Sequence, residues 1–217
     1  MKLIECVPNI SEGKNKEIIN QIIEPIKSNN VLHLLDVDPG ADTNRTVITF
    51  IGPPEDVLEG AFQLIKLASN LIDMTKHQGE HPRMGATDVC PLIPIKNVSL
   101  KESIKYSKIL GERVANELQI PVYLYEYSAT SESRKNLATI RKGEYEGMFD
   151  KIKEKKWVPD FGKNENNKKS GVTAIGVRDF LIAYNINLNT KDKKIATDIA
   201  LDIREQGRNK RNKKGKF

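Results

Sequence analysis

The sequence predicts an α/β fold of the α+β type, in which a mixed β-sheet carries helices packed on its outer face. Short apolar runs alternate with segments of helical periodicity between residues 2 and 126. Their opening order is β-α-β-β-α-β, the order of a split βαβ unit, whose helices cover one face of a mixed sheet. At 217 residues, the chain is long enough for one large domain, or for one domain and part of another.

Five strands are predicted where short apolar runs interrupt the helical periodicity. They are KLIECV at 2–7, VLHLLDVD at 31–38, RTVITFIG at 45–52, TDVCPLI at 87–93 and PVYLYE at 121–126. A further stretch of strand character, VTAIGVRDFLIAYNINLN, occupies 172–189.

The first two helices are predicted from apolar residues at helical spacing. Residues 14–28 place a set of isoleucines on one helical face: Ile18, Ile19, Ile22, Ile23 and Ile26. Residues 53–74 open with Pro54 and Glu55, which suit a first turn, because proline loses no hydrogen bond there and a carboxylate complements the helix dipole. The apolar positions of this second helix are Leu58, Phe62, Ile65, Ala68 and Ile72.

A third helix is predicted at 99–119, where Ser99 and Glu102 have the spacing of a capping box. The charged segment 131–156 is also predicted to be helical, and so is the segment 191–206.

A polar segment, WVPDFGKNENNKKSG at 157–171, breaks the helical periodicity and is either a linker or a binding loop. Beyond it, FLIAYNINL leads into a helix as LIECVPNIS does near the N-terminus. This echo indicates either the start of a second, similar unit near Phe180 or ordinary α/β recurrence.

The charge balance is mildly basic. Thirty-five Lys and Arg residues against 29 Asp and Glu residues give a net charge of +6, which permits anionic ligands but does not by itself indicate nucleic acid. We expect the basic C-terminal tail to be solvated, with salt-dependent phosphate binding as the alternative. Its residues are Arg204, Arg208, Lys210, Arg211, Lys213, Lys214 and Lys216.

Cys6 and Cys90 are the two cysteines, and no hydrophobic leader precedes Cys6. No apolar run approaches the roughly 20 residues that span a bilayer. We expect a soluble protein of a reducing compartment, the cytoplasm, with both thiols free and no membrane partner.

The segment KHQGEHPRMGATDVCPLIP at 76–94 contains His77 and His81, four residues apart. A zinc site is disfavoured, because glycine and proline oppose the helix that would bring both rings to one face, and no second ligand cluster accompanies the pair. A Cys/His nucleophile is disfavoured, because Cys90 has apolar neighbours on a predicted strand, where an inert buried thiol is commoner. The third histidine, His33, is predicted to be a hydrogen-bonded structural residue.

Two interpretations of this segment remain open from its residues alone. His81 is fixed by Pro82 and flanked by Glu80 and Arg83, and its unperturbed pKa of about 6.5 suits a general base near neutrality. The alternative is a surface loop whose glycines and proline only make turns. His77 either orients His81 or is solvated.

Several motifs together resemble the formiminotransferase family, which comprises the transferase part of formimidoyltransferase-cyclodeaminase and the stand-alone glutamate formimidoyltransferases. They are ECVPNISEGKN, LLDVDPGADTNRTVITFIGPPEDVLEGA, HQGEHPRMGATDVCPLIP, PVYLYE, WVPDFG and FLIAYNINL. The resemblance extends from Met1 to about Gly207, and GEHPRMGATDVCP is highly specific.

The resemblance implies transfer of the formimino group of N-formimidoyl-L-glutamate to N5 of tetrahydrofolate, a step of one-carbon metabolism in histidine catabolism. The products are 5-formimidoyltetrahydrofolate and L-glutamate; formyl transfer from N-formylglutamate is a variant. It also implies two α/β subdomains whose sheets face each other, with folate as co-substrate in the cleft between them, and a dimer. No metal is expected, because the amidine carries its own positive charge.

The catalytic residue that the resemblance implies is His81, in the EHPR motif. A neutral imidazole can take a proton from the attacking N5 amine and return it to the departing glutamate nitrogen. Asp38 and Glu80 are the carboxylates considered for stabilising the amidinium and the imidazolium. The substrate carboxylates are expected to meet arginine forks, which bind them in a bidentate manner. The substrate-binding candidates are Asp38, Arg45, Arg83 and Arg178.

The folate-binding stretch implied by the resemblance runs from Gly162 to Gly171. Its residues are Gly162, Lys163, Asn164, Glu165, Asn166, Asn167, Lys168, Lys169, Ser170 and Gly171. The glycines let backbone N–H groups approach a ligand. The lysines, which stand where the family has proline and apolar residues, are expected to attract the glutamate tail of folate. A solvated linker is the alternative.

Residues 1–179 are expected to form the N-terminal subdomain, and residues 180–217 the truncated start of the C-terminal subdomain with the basic tail. A strand at 180–187 without its sheet would expose an apolar edge and would need a second copy or the missing half as a partner. The alternative function is therefore a catalytically incomplete half that binds folate or a partner chain.

Overall fold

The computed structural model describes residues 1–182, 186 and 188–204. The chain divides into two compact units, Met1–Phe180 and Leu181–Phe217. Residues 183–185 and 187 of the strand predicted at 180–187, and the basic tail beyond Arg204, lie outside the described residues, and residues 180–182 and 186 are not in a strand. In the described part of the second unit, α6 begins at Lys193 and ends at Ile203, within the helix predicted at 191–206.

One mixed sheet of seven strands forms the first unit's framework, and it confirms the predicted α/β class. The strands are β1 (Leu3–Cys6), β2 (Asn9–Ile10), β3 (His33–Gly40), β4 (Arg45–Gly52), β5 (Thr87–Lys96), β6 (Val122–Glu126) and β7 (Thr173–Val177). β3 lies at one edge beside β4, and β6 lies at the other edge beside β7. Neighbours are antiparallel from β3 to β5, whereas β5, β7 and β6 run parallel.

β1 and β2 share one position in the sheet, since both pair with β4 and with β5. Pro8 separates them, because proline has no N–H group for the ladder. The carbonyl of Pro8 still accepts a hydrogen bond from the Ile48 N–H at 3.0 Å, so the sheet stays continuous at this break.

Three long helices cover one face of the sheet, as the periodicity predicts: α1 (Lys16–Lys27), α2 (Pro54–Leu71) and α3 (Leu100–Leu118). Asn15 caps α1, and Ser99 and Glu102 form the predicted capping box at α3. Buried residues of the three helices share a core with the facing strand residues, among them Ile22, Ile65 and Phe50.

The opposite sheet face is partly covered by α4 (Leu137–Arg141) and α5 (Glu144–Lys151), which is a second helical layer that the sequence did not predict. The segment predicted as helical at 131–156 is broken between them, because Gly143 adopts a φ of +93°. Over β1, β3 and β4, this face stays accessible, and we call that region the open sheet face. It includes Glu5, Arg45, Val47, Thr49 and Ile51, which alternate with buried residues.

The two thiols are free and buried, as predicted, with 3.5 Å between Sγ of Cys6 and Sγ of Cys90. The prediction for His33 was wrong. It is exposed and its ring forms no hydrogen bond within the part of the chain that the structure describes, because β3 is an edge strand. None of the helices in that part combines the length and apolarity of a membrane span.

Candidate active site

His81 lies in the loop between α2 and β5, with its imidazole half-buried. Nδ1 of His81 is 2.7 Å from the carbonyl oxygen of Pro82. A carbonyl oxygen only accepts hydrogen bonds, so Nδ1 carries the proton and donates it. Nε2 is then the unprotonated nitrogen, and it forms no hydrogen bond with any described residue. This is the tautomer that a general base requires.

A dense network holds the loop in place through His77 and Arg83. Nε2 of His77 donates to the Asn44 carbonyl at 2.9 Å, and Nδ1 of His77 accepts from Nε of Arg83 at 3.2 Å. The remaining donors of Arg83 bind Glu144, Glu146 and the His77 carbonyl at 2.7–3.3 Å. All five N–H groups of Arg83 are therefore engaged, and we assign Arg83 to positioning the loop rather than to binding a substrate carboxylate.

Charged groups from distant parts of the chain surround His81. Burial, followed by the positive charge of Arg45 and then that of Arg141, lowers the pKa of His81, while the Pro82 carbonyl and the Asp88 carboxylate oppose this shift. The imidazole is therefore neutral at pH 7 and able to accept a proton.

Arg45 begins β4 and faces Gly40 across the ladder. Its guanidinium forms no hydrogen bond or ion pair with the described residues, and its Nε is buried without a partner. Burial lowers the pKa of Arg45, the charges of Asp88 and Asp38 raise it, and Arg141 lowers it. Asp38 itself is exposed on β3 opposite Val47. Of the expected site residues, the structure thus brings His81, Arg45 and Asp38 together.

Sequence reasoning missed Asp88 and Arg141. Asp88 is fully buried and forms an ion pair with Arg141, with 2.6 Å between Oδ2 and Nη2. Its Oδ1 also accepts the Met84 N–H at 2.9 Å, which ties it to the His81 loop. A signal was present in the sequence, because Asp88 is a charged residue inside the otherwise apolar run of β5.

Arg178 lies away from this cluster. Arg178 follows β7, and its N–H binds the Leu92 carbonyl, roughly 16 Å along β5 from Thr87 at a rise of about 3.3 Å per residue. Burial raises the pKa of Glu5 on the open sheet face, and the charge of Arg178 opposes that shift. Glu80 is exposed.

Within the described residues, no three His, Cys, Asp or Glu side chains are grouped as a metal site would need.

Residues 3–178 match the family model described as "Formiminotransferase domain, N-terminal subdomain", which covers more than half of the chain. The chain belongs to the formiminotransferase family. Residues 183–217 match a second model of this family, described as "Formiminotransferase domain".

Named relatives agree with this membership. The chain is 49% identical over 206 residues to the glutamate formimidoyltransferase of Streptococcus pyogenes serotype M1, covering 95% of this chain and 69% of the relative. It is 53% identical over 210 residues to the formimidoyltransferase-cyclodeaminase of Mus musculus, covering 96% of this chain and 38% of the relative. It likewise spans 38% of the formimidoyltransferase-cyclodeaminase of Dictyostelium discoideum, at 51% identity over 95% of this chain.

The stretch expected to bind folate in this formiminotransferase family member is a packed loop. The Met74 N–H binds the Lys169 carbonyl at 2.8 Å, and the Ala86 N–H binds the Ser170 carbonyl at 2.8 Å. Gly171 has a φ of +70°, and a Cβ on it would overlap the Met84 carbonyl. These contacts fasten the stretch to both ends of the His81 loop and oppose the solvated-linker alternative.

The backbone donors at the end of this stretch are occupied by the stretch itself. Oδ1 of Asn167 accepts the N–H groups of Lys169 and Ser170, and its carbonyl accepts the N–H of Gly171 at 2.7 Å. Lys163 and Lys168 are exposed. The end of the loop therefore has these backbone N–H groups engaged, and the stretch offers the lysine side chains to an anion instead.

Proposed function

We propose that this protein transfers the formimino group of N-formimidoyl-L-glutamate to N5 of tetrahydrofolate, giving 5-formimidoyltetrahydrofolate and L-glutamate in histidine degradation. The observation that carries the proposal is the state of His81, whose Nδ1 donates its proton to the Pro82 carbonyl while Nε2 forms no hydrogen bond with the described residues. Family membership supports the choice of substrates.

The proposed mechanism uses one histidine twice. Nε2 of His81 takes the proton that the attacking amine loses, and returns it to the departing glutamate nitrogen. Between the two steps, the Pro82 carbonyl and the charge of Asp88 stabilise the imidazolium. Tetrahydrofolate supplies the nucleophilic nitrogen when it is bound. The unpartnered guanidinium of Arg45 beside His81 fits an anionic donor.

For the folate-binding stretch, we propose that Lys163 and Lys168 attract the anionic glutamate tail of folate. Lys163→Glu with Lys168→Glu should then weaken binding of tetrahydrofolate polyglutamate more than binding of the monoglutamate, because each added glutamate brings a negative charge. Equal weakening of both ligands would contradict this contact. Lys135→Glu with Lys153→Glu makes the same charge change at exposed sites elsewhere and is the matched control.

The deciding experiment is a turnover assay of the 217-residue chain. The chain is mixed with N-formimidoyl-L-glutamate and tetrahydrofolate, and the release of glutamate is measured. His81→Ala should abolish release while folate binding largely survives. His33→Ala is the control, because His33 is exposed on the edge strand. Release at parental rates from His81→Ala would contradict the mechanism. A parallel assay with N-formyl-L-glutamate decides between formimino and formyl donors.

A second candidate is a catalytically incomplete half that binds folate or a partner chain. The lengths of the relatives support this candidate, because the chain spans 38% of one relative and 69% of another. We propose residues 1–179 as the N-terminal subdomain and residues 180–217 as the start of the C-terminal one. Folate binding without turnover, restored by adding the remainder of the formiminotransferase domain, would favour this candidate. No restoration would exclude the split-enzyme form of this candidate.

We propose a cytoplasmic location and a homo-oligomer, or pairing with a further C-terminal half. The two free, buried thiols fit a reducing compartment. The edge strand β3 exposes Leu35 to 57%, and an accessible apolar edge fits a partner. Light scattering of the purified chain, alone and mixed with the C-terminal half, would measure the assembly.

A further inference from the structure

Arg141 is the last residue of α4 and lies beside the His81 loop, although no motif marks it. It lines a cleft of about 560 Å³ together with Pro82, Asn136, Thr139 and Gly143. Its side chain is 14% exposed and contributes to the lining of this cleft.

The contact with Asp88 fixes one edge of this guanidinium. Nη2 of Arg141 is 2.6 Å from Oδ2 of Asp88, and Nε is 3.4 Å from Oδ1. Asp88 is therefore bound along the Nε–Nη2 edge, and the Nη1–Nη2 edge is directed away from it. Nη1 forms no hydrogen bond with the residues the structure describes. That edge has the geometry that binds a carboxylate in a bidentate manner.

The positive charges near His81 exceed the negative ones that act on it. Arg45 and Arg141 both lower the pKa of His81 through their positive charges, and the charge of Asp88 opposes them. Lys142 and Glu144 also line the cleft, and Glu144 forms an ion pair with Arg83. Arg45 has no ion-pair partner among the described residues. Two cations held near each other with one buried anion favour the binding of a second anion.

We infer that the Nη1–Nη2 edge of Arg141, oriented by Asp88, binds a carboxylate of the amino-acid donor beside His81. Arg45 adds a second positive charge to the same site. Arg83, which the motif alone would favour for this role, has every donor engaged. The identity of the donor rests on the proposed function, and the contact itself depends on geometry alone.

The product L-glutamate retains both carboxylates of the donor, so the inference is tested by binding, without turnover. Isothermal titration measures L-glutamate, L-glutamine and L-isoglutamine against the parent, Arg141→Ala and Arg141→Lys. Arg141→Ala should weaken L-glutamate binding at least tenfold. Arg141→Lys should restore only part of the loss, because an ammonium cannot form the bidentate pair.

The two amides identify the carboxylate that Arg141 binds. L-glutamine lacks the γ-carboxylate and L-isoglutamine lacks the α-carboxylate. One of these two ligands lacks the carboxylate that Arg141 binds. That ligand should bind the parent weakly, and Arg141→Ala should not weaken its binding further. Equal losses for all three ligands would overturn a direct contact. Lys135→Ala removes one exposed charge elsewhere and should change each affinity by less than twofold.

Two further measurements distinguish a lost Arg141 contact from a misfolded variant, and failure of this inference from failure of the proposed function. Asp88→Asn should weaken L-glutamate binding, while unchanged tetrahydrofolate affinity in each variant reports an intact fold. The inference is overturned if Arg141→Ala binds L-glutamate as tightly as the parent does. It is also overturned if the parent shows no binding at about 10 mM L-glutamate, even if the parent transfers the formimino group. Arg141-dependent binding without turnover would support the inference and contradict the proposed function.

Discussion

Arg83 and Glu146 form a two-pronged ion pair, with 2.9 Å between Nη1 and Oε2 and 2.7 Å between Nη2 and Oε1. The pair joins the loop that carries His81 to α5. The Arg83 side chain is 9% exposed and that of Glu146 is 64% exposed, so the cation is the buried partner.

Arg83→Met should therefore cost more stability than Glu146→Gln. The first change removes every donor of the network, and we expect a loss of about 1–3 kcal/mol. The second leaves Glu144 bound to Arg83, and we expect about 1 kcal/mol or less. Urea unfolding measures both variants. Equal losses would contradict the claim that the buried cation contributes more to the network than Glu146 does.

Arg45→Met should raise the pKa of His81, because it removes a positive charge that disfavours the imidazolium. An NMR titration of the His81 ring measures this directly, and the acid limb of the kcat/KM profile should move to higher pH in parallel. Arg178→Met is the control, since Arg178 lies at the other end of the sheet. An unchanged or lowered His81 pKa in Arg45→Met would contradict the charge arrangement.

The free energy of unfolding should fall as the pH decreases from 7 through 6.5. Burial is the main cause that lowers the pKa of both His77 and His81 below 6.5 in the folded state. The unfolded chain therefore binds protons at a higher pH than the folded chain does, and acid favours unfolding. Urea midpoints at a series of pH values measure this effect. His77→Gln should make the decline shallower, and an unchanged decline in that variant would contradict this origin.

Lys151→Met should destabilise α4 and with it the position of Arg141. Nζ of Lys151 donates to the carbonyls of Thr139, Ile140 and Lys142 at 2.6–3.0 Å, at the C-terminus of α4. The loss of these bonds should cost about 1–3 kcal/mol by urea unfolding. Lys153→Met removes a surface pair and should change stability by about 0.5 kcal/mol or less. A similar cost for both variants would contradict the capping role.

Gly171→Ala and Gly147→Ala should have opposite effects on stability. Gly171 has a φ of +70° and its Cβ would meet the Met84 carbonyl, so alanine should cost about 1–3 kcal/mol or more. Nothing lies within 4 Å of a Cβ on Gly147 inside α5, where alanine should add about 0.5–1 kcal/mol. Thermal unfolding compares the two. A neutral Gly171→Ala would remove the argument that this contact holds the loop.

Local patterns predicted the elements that depend on neighbouring residues. The isoleucines of α1 recur at helical spacing, and Ser99 with Glu102 closes a capping box three residues apart. The segment at 131–156 was predicted less well, because its charge and periodicity did not show the break at Gly143. His33 was misread because an apolar run does not tell which strand lies at the sheet edge.

The candidate site also has features that the local sequence predicts and features that depend on the tertiary structure. By itself, the sequence determined the α/β class, the long helices and the family, and it predicted His81 as the candidate base within its motif, since each rests on residues close together along the chain. Only the tertiary structure decided that Arg83 is fully engaged by Glu144 and Glu146, that Arg45 has no ion-pair partner among the described residues, and that Asp88 meets Arg141. Asp88 and Arg141 are 53 residues apart, and the pairing of side chains over such a distance depends on packing and burial, which a local pattern does not encode.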